Sequence, residues 1–158
     1  GLKKFKEGLT QSLLSQLSAI EIDMTIFFQR LSLVSGAGSD PIAPLKDAFY
    51  NQVDASGNHG DELRKWVKCY LFEIRDQGIE SGEHIATMRE TNPKFIFRNY
   101  LAQLAIDDAN QGDFNFLDNL LRILRNPYAE QPENENLAGK RPEWAKERTG
   151  CSMLSCSS

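Results

Sequence analysis

An all-α fold, a single domain of five or six helices followed by an extended C-terminal tail, is predicted by three features of this 158-residue sequence. Apolar residues recur every three or four positions in several stretches, as on the inner face of a helix. No stretch alternates apolar and polar residues with β-branched enrichment, so no sheet is expected. Beyond Pro127 the aliphatic residues thin out among Glu, Asn, Lys, Arg and two further prolines, a composition that builds no core of its own.

The elements follow in order. From Thr10 to Val34, Leu13, Leu17, Ile20, Met24, Phe27 and Leu31 alternate in spacings of four and three, widened by Leu14 and Phe28, and predict one long amphipathic helix. Leu2 to Gly8 is a lead-in turn or a frayed end. Ser35 to Pro41 is a glycine- and proline-containing loop. A shorter helix is expected between Ile42 and Val53, with Leu45, Ala48, Phe49 and Val53 on one side, and Asp54 to Gly60 is a break. Asp61 is read as the cap of the next helix, whose inner stripe is Leu63, Trp66, Val67, Tyr70, Leu71 and Ile74, and Gly78 stops it. A short helix from about Ser81 to Glu90 turns Ile85 and Met88 inward.

Asn92-Pro93 carries the signature of a helix start, a capping side chain followed by a proline whose missing N–H is not needed in the first turn. The helix it predicts runs to a left-handed cap at Gly112, with Phe97, Tyr100, Leu101, Leu104 and Ala105 on its apolar face and Arg98 and Asn99 mainly on the other side. Asp113 caps the last helix, containing Phe114, Leu117, Leu120, Leu121 and Leu124 and ended by Asn126-Pro127. The short Gln111-Gly112 connection makes these two helices a hairpin. Tyr128 to Ser158 is expected as a tail anchored by Tyr128, Trp144 and Leu154. In domain terms, residues 1–125 are the helical part and 126–158 the tail ending Ser-Cys-Ser-Ser.

Composition bounds the function. A chain of this size buries roughly 68–70% of its unfolded surface, enough for one modest core. With 25% charged and 41% hydrophobic residues it falls in the ordinary globular class. No apolar run nears the ~18 residues of a membrane span, and no signal-peptide core follows Gly1-Leu2-Lys3-Lys4, so neither membrane association nor secretion is expected. The net charge of −4 and the scattering of basic residues among acids argue against a nucleic-acid partner.

Chemistry is sparse. Gly36-Ala37-Gly38 lacks the lysine and further glycines of a phosphate cradle and reads as a flexible loop. His59 and His84 have no second histidine at metal-ligand spacing and read as exposed or capping side chains. The pairs Glu21/Asp23, Asp107/Asp108 and Glu133/Glu135 stand one or two residues apart, where helical side chains do not face each other. Asp23, within the long apolar stripe, reads as an inward group in a structural salt bridge with Arg30 or Arg98. No catalytic, cofactor-binding or metal-ligating residue is assigned. Cys69, within the stripe around Trp66 to Ile74, reads as a buried thiol. Cys151 and Cys156 alone invite a redox argument: Cys156, near a flexible end, is accessible, and Cys151 is close enough to close a small loop with it, although flexible geometry does not ensure pairing.

The words themselves add a resemblance. Asn92 to Gln103, followed by Gly112-Asp113, Arg125-Asn126-Pro127-Tyr128 and Ser155-Cys156-Ser157-Ser158, resembles the C-terminal end of the SelO family, with weaker likenesses at Ile22-Asp23-Met24-Thr25, Arg30-Leu31 and Met88-Arg89. The resemblance implies a larger, kinase-like parent that acts as a protein adenylyltransferase, moving AMP from ATP, with magnesium or manganese, to hydroxyl side chains of protein substrates. It implies a cytoplasmic bacterial setting. The family's nucleotide-binding lysine, acidic base and metal-binding Asn and Asp belong to the kinase-like part, and none of those motifs occurs here. This stretch would then buttress the kinase-like region of the same polypeptide, and the isolated piece would hide its docking face by forming a homodimer. In eukaryotic members a selenocysteine occupies the position matched by Cys156, which implies a redox role and a reversible disulfide with a cysteine of the kinase-like part. The reading of a different class is a free-standing all-α interaction module without enzymatic activity.

Overall fold

The computed structural model describes residues 1–34 and 40–151. The fold is all-α: helices α1 (Glu7–Ser18), α2 (Met24–Leu31), α3 (Gln52–Ser56), α4 (Asn58–Asp76), α5 (Ser81–Thr91), α6 (Asn99–Ala109) and α7 (Asn115–Leu124), with 3-10 turns at Ala43–Ala48, Pro132–Leu137 and Glu143–Ala145. Among the described residues the only isolated extended pairing is an antiparallel bridge between Ile22 and Phe49. The chain divides into two compact units, Gly1–Asn92 and Pro93–Ser158.

In the first unit the long helix expected over Thr10 to Val34 is broken in two. The apolar rhythm runs unbroken through the gap, but the backbone does not: Asp23 turns extended and its carboxylate accepts the Ile26 N–H, starting α2 afresh. The gap is held from outside, since the Asp23 N–H donates to the Ala48 carbonyl and the Tyr50 N–H to the Glu21 carbonyl. Those two bonds satisfy backbone groups that helix would otherwise have paired. Asp23 is buried, as expected of an inward group, and also accepts from the Tyr50 hydroxyl at 3.5 Å, while Arg30 pairs with Asp47 at 3.1 Å.

Leu13 and Leu17 of α1 and Phe27 and Leu31 of α2 join Ile42, Leu45, Ala48 and Phe49 in one core with the inner face of α4, Leu63, Trp66, Val67, Tyr70 and Ile74. Leu14, placed on the stripe from sequence, is exposed instead. The helix expected from Ile42 to Val53 is a 3-10 turn followed by an extended Phe49, and Val53 lies outside it on the short α3, exposed. Helix α4 begins three residues before the expected cap, with Asp61 inside its first turn. Gly60 permits this: a Cβ there would stand 2.1 Å from the Ala55 carbonyl oxygen, so only glycine lets α4 start against the end of α3. Gly78, at φ 62°, closes α4 as expected.

Asp40 ties this corner together. It accepts from Arg64 Nε at 3.0 Å and pairs with Lys46 at 3.0 Å, and the Arg64 hydrogen bond, ahead of the Lys46 contact, pulls its carboxyl down to about 2. A lowered carboxylate pKa stabilises the fold above the unfolded-state value and stops doing so as pH falls through the folded one. With its side chain 24% exposed, the contribution is about 1–2 kcal/mol after solvent screening. Urea midpoints of Asp40→Asn and the parent chain should therefore differ by a constant amount above about pH 5 and converge toward about pH 2. A gap that persists undiminished at pH 2 would show that Asp40 acts through its shape alone.

The histidine reading needs correction at one position. His59 is exposed, but His84 is buried on α5, its Nε2 2.8 Å from the Tyr70 hydroxyl of α4 and its ring edge-on to the tyrosine. Burial holds the imidazole below its ordinary pKa, and burial pushes Tyr70 up to about 12. Trp66 stacks on Tyr70 at 5.1 Å and donates its indole N–H to the Leu9 carbonyl, so a chain of aromatic contacts links α1, α4 and α5.

In the second unit α6 starts at Asn99, later than the Asn92-Pro93 signature predicts. Asn92 is used as the closing residue of α5, its amide donating to the Met88 carbonyl at 2.8 Å. Lys94 and Phe95 then donate their backbone N–H groups to the single carbonyl of Pro127, which holds 93–98 off helix. Phe95 is buried and Phe97 exposed, the reverse of a helix running through both. Gly112, at φ 84°, ends α6 as expected, and the Asp113 carboxylate accepts the Asn115 N–H at the start of α7. Helices α6 and α7 pack on each other, burying Tyr100, Leu101 and Leu120, with Leu104, Phe116 and Leu124 around them. Of the apolar residues expected in this helix, Phe114 and Leu121 are exposed, and Ile123 is buried.

Candidate functional site

The two cysteines singled out from sequence stand differently. Cys156 and the expected anchor Leu154 lie outside the described residues, as does the Gly36-Ala37-Gly38 loop. Cys151 is described and is fully buried, packed with Ala145 against Tyr100, Leu101 and Leu120. Cys69 reverses its expectation: it is exposed. Trp66, Val67, Tyr70 and Ile74 fill the inner arc of α4, and a residue one position before Tyr70 is turned about 100° away from it.

The segment that buries Cys151 is built from a few contacts. Its only regular piece is the 3-10 turn Glu143–Ala145. Trp144, 46% exposed, stands edge-on to Tyr100 at 6.2 Å. The Arg148 guanidinium lies 5.7 Å over the Trp144 ring and donates to Asp107 of α6 at 2.6 Å. Gln103, one turn earlier on α6, donates to the other Asp107 oxygen at 3.0 Å. That bond, ahead of the one from Arg148, holds the Asp107 carboxyl below its ordinary value. At Gly150, φ 87°, the turn into Cys151 takes a left-handed backbone that favours glycine, and a Cβ there, 2.5 Å from Gln103 Oε1, would push the end of that side chain aside. The anchors of this segment are therefore Ala145 and Cys151, with Leu137 from the preceding turn, while Tyr128 and Trp144, expected as anchors, are half exposed.

Sequence reading missed the Arg148–Asp107 and Trp144–Tyr100 contacts because they join positions about forty residues apart. The visible signal was local: Trp144 and Arg148 stand four apart, a spacing that brings an arginine over an aromatic ring. Arg98, expected on the outer side of its helix, is buried in the turn before α6, where its carbonyl accepts the Ala102 N–H. Asn99 is the first residue of α6. Of the acidic pairs, Glu135 is engaged by Lys94, which also meets Glu130, and Glu133 accepts from Asn134. Among the described residues no group of three or more His, Cys, Asp or Glu side chains is arranged to hold a metal ion, and no helix is long and apolar enough to cross a membrane.

Comparison with known proteins places the chain among nucleotidyltransferase relatives. A family model described as protein adenylyltransferase SelO matches residues 2–125. A protein nucleotidyltransferase YdiU of Azoarcus sp. (strain BH72) is 45% identical over 138 residues, which is 87% of this chain and 26% of that protein. The YdiU of Tolumonas auensis is 43% identical over 95% of this chain and 28% of its own length, and that of Rhodopirellula baltica is 40% identical over 100% and 32%. The chain belongs to the SelO family. It spans about a quarter to a third of the length of these curated relatives.

Proposed function

We propose that this chain is the helical C-terminal part of a protein adenylyltransferase, and that it buttresses a kinase-like catalytic region carried elsewhere in the same polypeptide. The observation that carries this is the match to the SelO family model over residues 2–125 by a chain that covers only 26–32% of its relatives. In the complete enzyme the hydroxyl oxygen of a protein side chain bonds to the α-phosphorus of ATP, the α–β phosphoanhydride breaks, and pyrophosphate leaves with AMP retained on the protein. ATP and magnesium or manganese act in the kinase-like region, in the cytoplasm. The role of the present residues is to hold that region and to carry Cys156 on the segment that follows Cys151.

Cys156 is the redox residue in this proposal. It forms a reversible disulfide with a cysteine of the kinase-like region, and reduction frees that region for transfer. The test is AMP incorporation into protein by the complete polypeptide, with and without reductant, beside its Cys156→Ser variant. Reductant should raise incorporation by the parent and leave the variant, already active, unchanged. An equal response of both proteins to reductant removes the redox role, and no incorporation by either removes the enzymatic reading in favour of an interaction module.

A further inference from the structure

We propose that residues 143–151 form a releasable strap over the α6–α7 hairpin, latched by Arg148, whose opening controls access to the Cys151 thiol. Only Ala145 and Cys151 of this segment are buried, and the residues between them are exposed, so little apolar surface holds it down. A polar fastening of the segment is at the surface: the Arg148 and Asp107 side chains are 42% and 30% exposed. Ion pairs of that exposure contribute little and are screened by salt. A segment with few buried contacts and solvent-facing bonds opens locally at far lower cost than the whole fold.

The latch is nevertheless specific. Gln103 fixes one oxygen of Asp107 and leaves the other to Arg148, and the guanidinium also lies over the Trp144 ring, which stands edge-on to Tyr100. The Arg148 side chain thus ties Trp144 of the strap to Asp107 of α6. With the strap closed Cys151 is 0% exposed, so reagents and other thiols, Cys156 included, reach it only from the open state.

The experiment is the rate at which a water-soluble disulfide reagent labels Cys151 in the full chain carrying Cys69→Ser and Cys156→Ser. Labelling should be slow, and about fivefold faster with Arg148→Ala added, while the thermal unfolding midpoint barely moves. Raising salt from about 0.05 to about 1 M should speed the Arg148 protein and leave the Arg148→Ala protein unchanged. Arg148→Lys, which keeps the charge but not the flat stacking surface, should fall between. Equal labelling rates with Arg148 and with Ala overturn the latch. Labelling of the parent at the rate of a free thiol, or only in step with global unfolding in urea, overturns the strap.

Discussion

Phe49→Ala is expected to cost about 3–5 kcal/mol, the largest loss of any single truncation in the first unit. Phe49 is 0% exposed and stands where the 3-10 turn gives way to extended chain, bridging to Ile22 in the gap between α1 and α2. Truncation would empty an aromatic volume in the core and loosen the contact that keeps the two helices apart. Neighbouring backbone is tied on both sides, by Asp23 to Ala48 and by Tyr50 to Glu21, so the site cannot collapse to fill the space. Phe72→Ala, at a side chain 63% exposed on α4, should stay within about 0.5 kcal/mol of the parent. Urea unfolding followed by circular dichroism measures both, and a Phe49→Ala midpoint equal to that of Phe72→Ala would contradict this account of the core.

The same corner shows how far the sequence could be read. Periodicity identified Leu13, Leu17, Phe27 and Leu31 as core because each depends only on helical phase. It could not show the break at 19–23, because that break is made by hydrogen bonds from residues 48 and 50, which no local pattern contains. Asn92-Pro93 misled for a related reason: an asparagine amide can end a helix as well as start one, and here the Pro127 carbonyl decided between them. On α4 the stripe was right and Cys69 wrong, since one residue of helical rotation separates a buried tyrosine from an exposed thiol. In the tail, composition gave no warning that a small residue and a cysteine, Ala145 and Cys151, would be its anchors. The candidate site was legible only as cysteines in a row of polar residues. Its fastening to α6 is a matter of three-dimensional placement.

The second large effect concerns nucleotide. A site for ATP needs donors that converge on the phosphates, commonly backbone N–H groups of a glycine-rich turn with a lysine, and carboxylates for the metal. Lys94, in the turn before α6, is engaged by Glu130 and Glu135 and contacts the Phe95 ring. Arg64 is taken by Asp40 and Asp61, and Arg148 by Asp107. These cations are committed to carboxylates of the fold, and recruiting them to a triphosphate would break the ties described above. Isothermal titration calorimetry of the 158-residue chain with ATP and magnesium therefore tests the central claim, that this chain supports catalysis without holding the nucleotide. No heat of binding should be detected up to about millimolar ATP, a level at which an intrinsic site would bind through several kcal/mol of contacts. A saturable isotherm with micromolar affinity would contradict it and locate nucleotide chemistry in these helices.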